Sequence, residues 1–213
     1  MRIEFLKRSR CIDGLIGSEA MEAVIKLVRQ YWFEKKQPQR KNFIARNLSF
    51  HGNTVATLSL AYHAARRAPY ETILNHDNFF HVSPAYYKRF GKQGESEGEY
   101  VQRLAKELDD KILELGPETV AGFVAETVVG ATTGAVPAPN GYFKAIREVC
   151  DKYDVLFVLD EVMSGMGRGS SSTHCTSLDE QLTWAAWKVW GPYMRGRASE
   201  TTRLQTSKPL RKV

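Results

Sequence analysis

Cysteine is scarce, with three in 213 residues. Cys11, Cys150 and Cys175 are scattered and form no CxxC pair, which argues against a disulfide framework and against zinc. No apolar run approaches the roughly 20 residues of a membrane span. The opening "MRIEFLKRSR" is basic but lacks the apolar stretch of a secretory signal, and Glu4 and Asp13 count against a transit peptide. Together these absences predict an intracellular chain, cytoplasmic or mitochondrial, with no membrane partner. A GxxxxGK[ST] loop is missing too. The Gly-Lys pair, Gly91-Lys92, is followed by Gln93, with no upstream glycine in place, so P-loop nucleotide binding is excluded.

Charge of one sign is in slight excess: 30 Lys and Arg against 24 Asp and Glu leave +6. Residues 169–213 hold seven basic and three acidic side chains, hence +4 of that +6. No nucleic-acid motif accompanies this basic end, so no nucleic-acid partner is expected. The stretch "GSSSTHCTSL" and the cluster Trp184, Trp187 and Trp190 break the preceding rhythm. A poorly ordered tail is the expectation there.

What is present is alternation. Met21, Val24, Ile25, Val28, Tyr31 and Trp32 fall at helical spacing behind Ser18, an N-cap candidate, with Glu19 and Glu22 in the first turn. Phe43 to Leu48 reads as a strand, followed by a turn at His51-Gly52-Asn53 and a short apolar helix. Ala61 to Gly94, with its aromatics and prolines, reads as irregular connection. Val101, Leu104, Leu108, Ile112 and Leu115 mark a second long helix, stopped at Gly116-Pro117. "TVAGFVAE" reads as a strand ending at Glu126. Phe143, Ile146, Val149, Cys150 and Tyr153 mark a third helix, and "VLFVL" is a strand running into Asp160. Continuous apolar runs between amphipathic helices predict an α/β fold with parallel strands covered on both faces.

In such a sheet, ligands collect at the carboxyl ends of the strands, where Glu126 and Asp160 fall. A buried carboxylate needs a cation or donors to stay ionised. "VLFVLDE" suits either a magnesium–nucleotide site, which fails for want of its phosphate loop, or a protonated ring nitrogen such as that of pyridoxal phosphate. Gly17-Ser18 opens a helix, where amide groups, a hydroxyl and the helix dipole converge on a position fit for a phosphate. Phe50-His51-Gly52 puts an aromatic ring at the same sheet edge. Singly, each of these also reads as a cap, a turn or core packing.

In order and type, "GSEAMEAVIKLVRQYW", "FIARNLSFHGNTVATLSL", "RRAPYE", "TVAGFVAETVVGATTGAVPAPNGYFKAIREVCDKYD" and "VLFVLDEVMSGMGR" resemble the class III aminotransferases. Those are pyridoxal-phosphate enzymes of the fold type I, aspartate aminotransferase-like superfamily. The resemblance runs from Gly17 to Arg168. It implies a partial large domain of that fold, a mainly parallel sheet flanked by helices. It also implies a transaminase that binds pyridoxal 5'-phosphate and moves an amino group from an amine or amino acid to a keto acid, as a homodimer. By position, Gly17 and Ser18 match the phosphate-binding pair. Phe50 matches the ring-stacking aromatic, followed by His51. Glu126 matches the acid beside the substrate and ring oxygen, Asp160 the acid paired with the pyridine nitrogen, and Val162 the aliphatic group on the ring's other face.

Two departures stand out. Thr127 replaces the proline of the family's Glu-Pro motif. Downstream of Asp160, the Schiff-base lysine of a Lys-Gly-x-Gly turn has no clear counterpart. Lys188 is a candidate by separation, yet it lies in "AAWKVWGP" without that turn, and Lys208 lies in "TSKPL". Residues 1–16 are expected to be an N-terminal remnant, 17–168 a partial cofactor-binding domain and 169–213 a divergent tail. The sequence thus predicts a chain truncated at both ends, with a sheet edge left unpaired. A non-catalytic cofactor-binding or dimerising fragment is the alternative reading.

Overall fold

The structure, a computed structural model, describes residues 2–5, 10–13 and 17–164. The expectations for residues 169–213, including the tryptophan cluster, Lys188 and Lys208, lie outside the described residues.

Two short strands, β1 (Arg2–Phe5) and β2 (Arg10–Asp13), pair antiparallel. Helix α1 (Gly17–Glu34) follows and leads into β3 (Asn42–Arg46). Helix α2 (Val55–Leu60) is closed by a capping box between Thr54 and Thr57. A short helix α3 (Ala64–Arg67) and a 3-10 turn (Ala68–Ile73) precede β4 (Phe79–Val82). Helix α4 (Tyr87–Phe90) leads to the long α5 (Glu97–Leu115). Then come β5 (Val120–Glu126), a small hairpin of β6 (Val128–Val129) and β7 (Val136–Pro137), α6 (Tyr142–Lys152) and β8 (Leu156–Asp160).

The main sheet has the order β2-β1-β8-β5-β3-β4. From β8 to β4 every neighbouring pair is parallel, whereas β1 lies antiparallel along β8. Strand β1 therefore pairs along β8, on the side away from β5.

Strands β3, β5 and β8 are buried along their whole length, which is why their sequences run apolar without alternation. Successive side chains still point to opposite faces. Phe43, Ala45, Val124 and Val158 meet α1 through Met21, Val24, Val28 and Trp32. Ile44, Phe123, Phe157 and Leu159 meet α5 and α6 through Tyr100, Leu104, Leu108, Ile146 and Cys150. The two helical layers thus sandwich one sheet. Each fully buried Leu, Phe or Val contributes about 1.5–3 kcal/mol relative to exposure.

Two anchors hold this arrangement at the end of the sheet away from the carboxyl edge. Trp32 donates its Nε1–H to the Ala121 carbonyl at 2.8 Å, fixing α1 against β5. Arg40, its guanidinium over the Trp32 ring, donates to the carbonyls of Pro117, Val120 and Tyr153. One side chain thereby ties the starts of β3, β5 and β8.

Three local expectations need correcting. Helix α1 begins at Gly17, so Ser18 sits inside the first turn, and its hydroxyl pairs with Asn53 rather than capping the helix. The segment read as irregular contains β4, which pairs parallel with β3; three of its four residues are only half-buried, His81 among them, so it lacks a core strand's apolar run. Residues near the start form strands too: "RIEF" and "RCID" mix charged and apolar positions, as outlying antiparallel strands do.

Candidate functional site

Parallel pairing places the ends of β5 and β8 side by side, with Glu126 opposite Asp160 in register. Both side chains are buried. The loop after β3 folds over them. Its direction is set at Leu48, which adopts a left-handed φ of 58°. Ser49 then bonds the Arg46 carbonyl at 2.7 Å, and its N–H donates to the Tyr62 carbonyl at 3.1 Å, fixing the turn. The Thr132 hydroxyl donates to the Leu48 carbonyl at 2.6 Å from the far side. Phe50 and His51 emerge from this turn toward β5 and β8.

His51 points its Nδ1 at Asp160 Oδ2, 2.9 Å away, with its own side chain fully buried. Its Nε2 has no hydrogen-bond partner. A proton there would leave a buried donor unmet, so the ring is assigned as the Nδ1–H tautomer, donating to the carboxylate. Asp160 Oδ1 accepts the Val162 N–H at 3.0 Å. The carboxylate thus has one partner per oxygen, and neither is a fixed cation.

Glu126 is spoken for differently. Its Oε1 accepts the Phe50 N–H and its Oε2 the Gly130 N–H, each at 3.0 Å. One carboxylate therefore joins the loop after β3 to the loop after β5. Thr127 adds a bond that proline could not: its N–H donates to the Asp160 carbonyl at 3.1 Å. Its hydroxyl lies 3.4 Å from Glu161 Oε1.

The start of α1 reaches the same edge through Gly52. At φ 136° that residue occupies backbone space closed to other side chains, and a Cβ there would stand 2.5 Å from Thr57 Oγ1 and 2.9 Å from Ser18 Oγ. The missing side chain lets the loop pack on Ser18. The Asn53 N–H donates to Ser18 Oγ, and Ser18 returns its hydroxyl proton to Asn53 Oδ1, both at 3.0 Å. Phe50 is 40% exposed, with the Arg66 guanidinium 5.0 Å from its ring centroid.

All the described candidates therefore share one edge: Gly17, Ser18, Phe50, His51, Glu126, Asp160 and Val162. Lys188 lies outside the described residues. Three neighbours were not singled out from the sequence. Arg46, a charge inside the apolar strand "FIAR", donates to the Glu126 carbonyl and was the one with a visible signal. Arg67 is buried and donates to the Ala61 carbonyl at 3.0 Å. His81 lies behind His51, and burial first, then the charge of Arg67, brings its pKa down to about 4. Among the described residues no group of three or more His, Cys, Asp or Glu side chains could hold a metal ion. None of the described helices is long and apolar enough to cross a membrane.

A parallel sheet, helices on both faces and a paired set of acids at the carboxyl edge define a ligand-binding α/β architecture. Within that class the affiliation is specific, because the family model "Aminotransferase class-III" matches residues 6–179. The chain belongs to that family. An aminotransferase of Gibberella zeae is 54% identical over 166 residues, 77% of this chain and 31% of the relative. A probable gamma-aminobutyrate transaminase 2, mitochondrial, of Oryza sativa is 43% identical over 71% of this chain and 30% of its own length. Among solved structures, an omega transaminase from Pseudomonas jessenii in complex with PMP superposes with a TM-score of 0.72 at 35% identity, over 83% of this chain and 37% of that one. The chain thus spans about a third of the proteins it resembles. The similarity reaches the fold as well, a fold type I transaminase sheet of which this chain covers part.

Proposed function

We propose that this chain carries the cofactor-ring part of a class III aminotransferase site and binds pyridoxal 5'-phosphate. The observation that carries the reading is Asp160: a buried carboxylate whose partners are the His51 imidazole and one backbone N–H. A carboxylate offers about four acceptor positions, so lone pairs remain for a protonated ring nitrogen. The rest of the edge fits the same group. Gly17 and Ser18 start an 18-residue helix, whose first amides suit a phosphate, and the Ser18 hydroxyl would reach it by leaving Asn53 Oδ1. Phe50 offers an exposed aromatic face for stacking, and Val162 an aliphatic contact for the opposite face.

In this reading Asp160 would pair with the ring nitrogen, and His51 aims the Asp160 carboxylate by donating its Nδ1–H. Phe50 excludes water from one ring face, while Glu126 fixes the Phe50 backbone and stands beside the substrate. When bound, the protonated ring supplies an electron sink for chemistry at the substrate's α-carbon. The whole protein would transfer an amino group from an amine or amino acid to a keto acid. Lys188 is the candidate for covalent attachment, a homodimer the proposed assembly, and the cytoplasm or mitochondrion the proposed location.

The test is an absorbance titration of the chain with pyridoxal 5'-phosphate. Saturable binding is expected, weakened about ten- to a hundredfold by Asp160→Ala, the range that a hydrogen bond to a charged group spans. Equal binding by the variant, or no saturable binding by the wild type, overturns the reading.

A further inference from the structure

Arg46 ends β3, a strand buried throughout, and its side chain is 1% exposed. One terminal nitrogen donates to the Glu126 carbonyl. Its guanidinium carbon lies 5.6 Å from the centroid of the Tyr142 ring, at the start of α6. Nε and Nη1 are buried without a hydrogen-bond partner. Unmade bonds on a buried charged group cost about 1–3 kcal/mol or more, so a Met or Gln of similar reach would be the cheaper filler. The guanidinium must hold something that an apolar side chain could not.

What it holds is a single peptide plane. The carbonyl of the Glu126–Thr127 peptide accepts from Arg46, and the N–H of the same peptide donates to the Asp160 carbonyl at 3.1 Å. The plane is pinned from β3 on one side and from β8 on the other. It lies beyond Ala45 and Val124, the last pair that β3 and β5 make with each other. Rotating it would re-aim the Glu126 side chain, whose two oxygens receive the N–H groups of Phe50 and Gly130 at 3.0 Å each.

We propose that Arg46 is a positioning residue of the site: by fixing the Glu126 peptide it aims the Glu126 carboxylate, which in turn sets the Phe50 loop and the Gly130 loop. As a statement about function this rests on the cofactor reading above; as a statement about geometry it does not. Arg46 acts through Glu126 and needs no contact with any ligand.

Residue-resolved amide hydrogen exchange on the full chain tests it without cofactor. In Arg46→Met, exchange at Phe50 and Gly130 is expected to rise about tenfold or more, while Ile44 and Phe123 within the sheet keep their wild-type rates. Arg46→Lys, which keeps the charge and a donor, is expected to restore protection to within about threefold. If the Met variant does not fold, Arg46→Leu, which also removes every donor, carries the same expectation and decides. Unchanged exchange at Phe50 and Gly130, or equal acceleration of every strand amide, overturns the proposal. A parallel titration with pyridoxal 5'-phosphate separates the two readings: a wild-type chain that takes up no cofactor sinks the functional one and leaves the exchange result to judge Arg46.

Discussion

His51 Nδ1 lies 2.9 Å from Asp160 Oδ2, between side chains 109 positions apart in sequence and both buried. The contact joins the loop after β3 to the end of β8, and it crosses β5 to do so. Its strength is open to measurement. Hydrogen bonds to a charged group contribute about 1.5–3 kcal/mol. In a double-mutant cycle of His51→Ala and Asp160→Ala, followed by urea unfolding, a coupling in that range is expected. Additive losses would mean that the pair does not interact in solution.

The second histidine of this region gives a pH dependence. Burial, reinforced by the charge of Arg67, lowers the His81 pKa from the usual 6.5 to about 4. The unfolded chain therefore binds the proton first as pH falls. The stability this group leaves in place above about pH 6.5 is lost on acidification toward pH 4, and the loss is largest below it. A shift of that size corresponds to ~3 kcal/mol. Urea midpoints for wild type should fall across this window, and His81→Phe should flatten the fall. An unchanged acid limb in the variant would assign it to other groups.

Thr127 supplies a prediction from its N–H. Thr127→Pro removes the donor to the Asp160 carbonyl, at a cost of about 1–3 kcal/mol if that carbonyl stays buried and unmet. Thr127→Ser keeps the donor and should lose only its buried methyl, about 0.8 kcal/mol. Comparing the two by urea unfolding isolates the backbone bond from the side chain. Equal stability of the Pro and Ser variants would show that the bond contributes nothing.

Strands β3, β5 and β8 were legible because burial on both faces writes itself as an unbroken apolar run. Their acids were legible for the same reason: a carboxylate directly after "VLFVL" or "VAGFVA" has few bland explanations. Strand β4 was hidden because "FFHV" is half-buried and flanked by turns, so nothing in its period separates it from the aromatic loop around it. Pairings across the chain were hidden more deeply. That Asp160 meets His51, or that Arg46 meets the Glu126 carbonyl, follows from strand order, and local sequence does not encode strand order. Ser18 shows the reverse error: its type and place argued for a cap, but Asn53, 35 residues on, competes successfully for the hydroxyl.

The last prediction concerns attachment and turnover. The ring and phosphate contacts proposed for Ser18, Phe50 and Asp160 need no lysine and would bind cofactor without a covalent bond. Covalent attachment needs a lysine amine delivered to the same edge, and proton transfer at the substrate's α-carbon needs a base there. Lys188 sits between tryptophans without a glycine turn, so weak binding without transamination is the expected outcome for this chain. Purified protein is mixed with pyridoxal 5'-phosphate, reduced with borohydride and mapped by peptide mass spectrometry. Modification scattered over many lysines, together with no amino transfer to a keto acid, is expected. Free aldehyde condenses with surface lysines, so yellow colour alone decides nothing. Stoichiometric modification of Lys188, with turnover abolished by Lys188→Ala, would instead assign the covalent role to that residue and overturn the expectation of an inactive chain.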